Sequence, residues 1–95
     1  MDKDEKKRGY KAVPYNARLY FTVLSMRGQM FQRVRSNGTI IAACKDGIEI
    51  VIDFPVQPGH VLQWDDRHKP GTLHTGIVKW SLEEEGHYRG GLKFL

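Results

Sequence analysis

The alternation of Ile48, Ile50, Ile52 and Phe54 with Glu49, Val51 and Asp53 constrains this chain more than any other feature. Period two places four large apolar side chains on one face of a strand, a spacing that no helix buries. Lys45-Asp46-Gly47 before it is read as a turn, because Asp-Gly tolerates positive φ. Pro55 and Pro58-Gly59 end it. A second run, Arg18 to Met26, sets Leu19, Phe21 and Val23 on one face and Tyr20, Thr22 and Leu24 on the other. Both faces are fairly apolar, as in a strand covered on one side and partly shielded on the other. Arg27-Gly28 breaks it. Met30 to Arg35 is less clearly patterned, with Phe31 and Val34 beside Arg33 and Arg35.

Asn37-Gly38 predicts a two-residue hairpin turn. Thr39–Cys44, His60–Trp64, Gly76–Trp80 and Tyr88–Leu95 read as further strands. Asp65–Thr72 reads as a polar loop, and Glu83-Glu84-Glu85-Gly86 joins the last two strands. Ser81–Glu85 has room for one helical turn, which Gly86 stops, and no segment has a convincing helical period. Six or so short strands at intervals of roughly ten residues predict an all-β fold, a small sandwich or barrel. Closure removes the edges that invite aggregation. Ile50 and Trp80 are its predicted inward anchors.

At 95 residues the chain has room for one domain. Residues 1–9 contain no apolar side chain after Met1 and are read as a flexible basic arm. The barrel domain is read as residues 10–95, entered through an extended stretch with Tyr10, Val13, Pro14 and Tyr15. The net charge of +4 is uneven: residues 1–36 hold nine basic and three acidic side chains, the remainder six and eight. An anionic partner is drawn first to the N-terminal third. A lysine-rich terminus also serves simply to keep a protein soluble. Cys44 is the one cysteine, which excludes an internal disulfide framework and a Cys-pair zinc site and fits a reducing cytoplasm. The opening Met-Asp-Lys-Asp-Glu-Lys-Lys-Arg is too charged for a signal peptide. Leu19 to Met26, the longest uncharged run near the start, is far short of the ~20 residues of a spanning helix. The expectation is a cytoplasmic protein without membrane insertion.

Catalysis finds little support. Asp65, Asp66, His68 and His74 lie close in sequence, but histidines at 60, 68, 74 and 87 match no convergent metal spacing. Cys44 beside Lys45 lacks the partners of an activated nucleophile. Glu83-Glu84-Glu85 is a hydrated run at a turn, not an acid/base pair in opposed environments. No glycine loop for phosphate or dinucleotide is present. The chain is read as a non-enzyme without a cofactor. Binding is the better reading, with basic side chains for phosphates and 11% aromatics for stacking. Phe21, Phe54, Trp64, Trp80 and Phe94 fall within strand patterns and are assigned to the core. Tyr10 and Tyr15 flank the basic entry segment.

Asn37-Gly38-Thr39 leads into Asp46-Gly47-Ile48-Glu49-Ile50, then Pro58-Gly59, then Gly76-Ile77-Val78-Lys79-Trp80, then Tyr88-Arg89-Gly90-Gly91-Leu92-Lys93-Phe94-Leu95. This series, from about Lys7 to Leu95, resembles a PilZ domain, the bacterial β-barrel module that binds cyclic di-GMP. The resemblance implies an all-β fold, a small six-stranded antiparallel barrel with a flexible basic N-terminal arm, and a ligand site in two parts. One is R-x-x-x-R before the first strand, where this chain has Lys7-Arg8-Gly9-Tyr10-Lys11. The other is [D/N]-x-S-x-x-G, where it has Ala42-Ala43-Cys44-Lys45-Asp46-Gly47. Lysine keeps the charge of arginine without its planar fork. Ala42 offers no polar side-chain atom and Cys44 only a weak donor, so of the second motif only Gly47 matches.

The resemblance therefore implies nucleotide binding by Lys7, Arg8, Lys11, Cys44 and Gly47, signalled onward through an unidentified protein partner. The departures imply an alternative, a PilZ-like interaction module that docks proteins without nucleotide. A non-specific single-strand nucleic-acid binder is a third reading, disfavoured by modest charge and an acidic second half. No specific nucleic-acid partner is expected.

Overall fold

The structure is a computed structural model and describes residues 13–95. The described chain is all-β. Its strands are β1 (Val13–Arg27), β2 (Met30–Ala43), β3 (Gly47–Ile52), β4 (Val61–Asp65), β5 (Leu73–Glu84) and β6 (His87–Phe94). They close into an antiparallel barrel in the order β1-β2-β3-β6-β5-β4. β4 returns to β1 through three rungs, Thr22–Gln63, Val23–Leu62 and Leu24–Val61. The expected arm and the entry segment to residue 12 lie outside the described residues. No helix among the described residues is long and apolar enough to cross a membrane.

The period-two runs turn inward as expected. Phe21 and Val23 from β1, Ile48, Ile50 and Ile52 from β3, and Leu62 and Trp64 from β4 form the core with Ile40, Val78 and Leu92. Phe21 packs against Trp64 with ring centroids 5.6 Å apart. Ile50 has no exposed surface, and truncating such a side chain to Ala costs about 2–5 kcal/mol. Val56, from the 53–60 connection, is also buried and stops one end of the barrel against Gly90.

Three expectations are corrected. Asn37-Gly38 is not a turn. Both lie inside β2, which runs unbroken from Met30 to Ala43. Gly38 is there because the Phe21 ring fills its side-chain space: a Cβ would stand 2.7 Å from that ring. The hairpin turn is instead Gly28-Gln29, with Arg27 paired to Met30. Second, Ser81–Glu84 continues β5, and only Glu85 and Gly86 form the final turn. Their φ values of 44° and 88° are those of a type I′ hairpin, which Gly86 adopts freely. Third, Trp80 is not an inward anchor but is 42% exposed. The register slips between Val78 and Trp80, and this bulge turns every later β5 side chain to the opposite face.

Candidate functional site

The bulge creates the site. Beyond it, Trp80 faces outward and pairs with Gly91 on β6, Gly91 pairs with Glu49 on β3, and Glu49 pairs with Ala42 on β2. A second slip, between Ile40 and Ala42, lets Ile40 remain in the core while Ala42 joins this outer row. The row Ala42–Glu49–Gly91–Trp80 therefore has small residues next to large ones. The result is a groove of about 540 Å³ on the outside of the barrel. Trp80 forms one wall, and the turn of Cys44, Asp46 and Gly47 forms another.

Each wall is held by specific contacts. The Gly47 carbonyl accepts hydrogen bonds from the Cys44 amide at 3.0 Å and the Cys44 thiol at 3.5 Å. Asp46 accepts one from the Phe94 amide at 2.9 Å. Gly47 does not have the positive φ expected of a turn glycine. Its reason is proximity, because a Cβ would stand 1.9 Å from the Leu92 carbonyl oxygen. Trp80 is placed by the same logic, since a Cβ on Gly91 would stand 2.1 Å from its Nε1.

The electrostatics favour an anion. Lys79 and Lys93 line the groove, as do Asp46 and Glu49. Glu49 is already paired: its Oε2 accepts from Arg89 Nε and Nη2, each at 2.6 Å. The Glu49 carboxylate in turn raises the Arg89 pKa, chiefly through this hydrogen bond. Two lysines are thus left facing Asp46.

Of the residues expected at the site, the structure brings Cys44 and Gly47 together in this groove. Lys7, Arg8 and Lys11 lie outside the described residues. Lys79, Trp80 and Lys93 were not among the expected residues. Their signal in the sequence is Gly90-Gly91 opposite a tryptophan strand, but the bulge that gives it meaning leaves no mark in the alternation.

A second polar cluster is structural. Asp66 Oδ1 accepts from the His68 and Lys69 amides at 2.7 and 2.9 Å, and Oδ2 lies 2.8 Å from His74 Nε2. The His74 hydrogen bond, followed by the His68 amide, holds the Asp66 pKa down at about 2. These bonds fold the 66–72 loop back on itself, beside Trp64. Among the described residues no three His, Cys, Asp or Glu side chains converge as metal ligands. No family model and no curated protein matches this chain.

Proposed function

We propose that the chain is a PilZ-like signalling adaptor that takes cyclic di-GMP in the groove beside Trp80 and responds through a protein partner. The observation that carries this reading is the groove's place. It opens at the Ala42–Gly47 turn, the segment that resembles the family's second ligand motif. The groove supplies what a guanine dinucleotide needs in kind: an indole plane for a base and two ammonium groups for phosphates. Lys79 and Lys93 add to the charge expected from Lys7, Arg8 and Lys11. The reading is of binding without chemistry in a cytoplasmic protein, with the response carried by a partner.

Calorimetric titration of the full chain with cyclic di-GMP tests it. Binding heat is expected, lost on replacing Lys79 and Lys93 together with Ala. No heat from the parent chain overturns it.

One observation favours the second reading, a module that docks proteins without nucleotide. Ala42 has no polar side-chain atom, and the Cys44 thiol already donates to the Gly47 carbonyl. On that reading the parent chain gives no heat. The variant carrying Lys7→Arg, Lys11→Arg, Ala42→Asn and Cys44→Ser gains it.

A further inference from the structure

The β1–β2 hairpin leaves the barrel. On β2 the last rung shared with β3 is Gly38–Ile52, and on β1 the rungs shared with β4 end at Leu24. Leu24 lies opposite Arg33, and Met30 is three residues beyond that rung, so the part free of neighbours on both edges reaches about 10 Å at the usual strand rise. The longest dimension of the molecule, 44 Å against 30 and 25 Å, accommodates this projection.

The projecting part is sorted along its length. At the tip, Met26, Met30 and Phe31 are 62%, 70% and 60% exposed. Met26 and Phe31 sit directly opposite each other in register and share the outer face. Behind them on that face come Arg33, opposite Leu24, then Arg35, opposite Thr22, then Arg18, opposite Thr39. All three arginines are exposed, and none has a carboxylate partner among the described residues. Arg35 is steadied by Tyr20, with its guanidinium carbon 4.8 Å from the ring centroid.

On the outer face the Met26–Phe31 pair comes first, Arg33 and Arg35 next and the globular body last, the order in which a lipid leaflet is complementary. Arg27, opposite Met30, adds a cation in the tip rung. Phe31 and Arg33 are two residues apart, about 7 Å of strand, close to the depth of one headgroup layer. A protein groove has no reason to sort apolar and cationic contacts by depth. The acidic β5–β6 turn points to the same end of the barrel, where Tyr88 pairs with Ile52. That turn is set apart from the β1–β2 hairpin by β3 on one side and β4 on the other.

We propose that the β1–β2 hairpin docks the barrel on an anionic lipid surface. Met26, Met30 and Phe31 enter the headgroup layer, while Arg33 and Arg35 pair with lipid phosphates. The chain lies on the membrane and does not span it. The groove sits at the other end of β2 and stays open to solvent. The inference stands whether or not the groove takes a nucleotide.

Co-sedimentation of the full chain tests it, with vesicles of equal parts phosphatidylglycerol and phosphatidylcholine against phosphatidylcholine alone. The chain is expected to pellet with the anionic vesicles and to be released by salt. Arg33→Gln with Arg35→Gln is expected to weaken partitioning about fivefold for each arginine removed. Met26→Ser with Phe31→Ser is expected to weaken it as well. All four side chains are exposed, and an unchanged far-UV spectrum confirms each variant's fold. Failure of the parent chain to pellet overturns the proposal. Undiminished binding by the Met26→Ser, Phe31→Ser variant overturns it too, because the attraction is then charge alone. Equal binding to polyglutamate, insensitive to that variant, identifies an acidic protein partner instead and overturns it.

Discussion

The Trp80 indole occupies the space that a side chain on Gly91 would take, with 2.1 Å between its Nε1 and the position of a Cβ. Gly91 is not in the positive-φ region, so the constraint is steric and not conformational. Gly91→Ala is expected to push the indole out of the groove wall while the barrel holds. Gly91 is buried, but the clash falls on the exposed Trp80 indole, which has room to swing outward. Stability should therefore change by less than about 1 kcal/mol. The checks are a red shift in tryptophan emission and loss of any cyclic di-GMP heat.

The two tryptophans should separate in energy. Trp64 is 5% exposed and packs on Phe21, whereas Trp80 lies on the outer face. Trp64→Ala is expected to cost about 3–5 kcal/mol. Trp80→Ala should cost about 1 kcal/mol. Urea midpoints at unchanged slope measure the difference. Equal losses would show that the bulge at Lys79 does not turn Trp80 outward.

Gly47 admits no side chain without backbone movement, since the Leu92 carbonyl is fixed in the β3–β6 ladder. Gly47→Ala is expected to lower stability by about 1–3 kcal/mol or more. A stable Gly47→Ala barrel, seen in the same urea titration, would refute the close approach of β3 and β6.

Asp66 gives the fold an acid limb. Its folded pKa of about 2 lies below the ordinary 3.8, because His74 and two backbone amides prefer the carboxylate. A depressed pKa stabilises the fold fully above the unfolded value, and that stabilisation is lost as pH falls through the folded one. The melting temperature of the parent chain should therefore exceed that of Asp66→Asn at neutral pH. The gap should close as the pH falls from about 4 to about 2. A gap that persists in strong acid would show that the charge contributes nothing.

Arg89 connects the outer face to the groove. Its pair with Glu49 is partly exposed, so Arg89→Ala should cost less than about 1 kcal/mol in stability. It frees the Glu49 carboxylate beside Lys79 and Lys93. Any anion bound there should bind more weakly, by calorimetry, and the loss should shrink in high salt.

Where a strand keeps strict alternation, the sequence was legible: Ile48, Ile50 and Ile52 point inward as their spacing demands. The Cys44–Gly47 turn was legible for its position but not its cause, which lies across the barrel in Leu92. Two features were illegible for one reason. Asn37-Gly38 has the chemistry of a turn, yet the Phe21 ring, which pairs at Ser36, needs a neighbour without a side chain. Trp80 follows Gly76 and Val78 in perfect alternation, yet one extra residue at Lys79 reverses its face. Both depend on partners far away in the chain, and local pattern carries no information about them. The groove inherits that blindness, because its wall is made by the bulge.

The meeting of β1 with β4 has a dynamic consequence. β1 is zipped to β2 over nearly its whole length, from Val13 to Arg27, but to β4 only between Thr22 and Leu24. A closed ring unravels where the fewest bonds must break together. The amides of residues 61–63 and 22–24 that bond across this seam should be the first ladder protons to trade with deuterium. Parting there turns the ring into a curled ribbon of six strands whose order is otherwise intact.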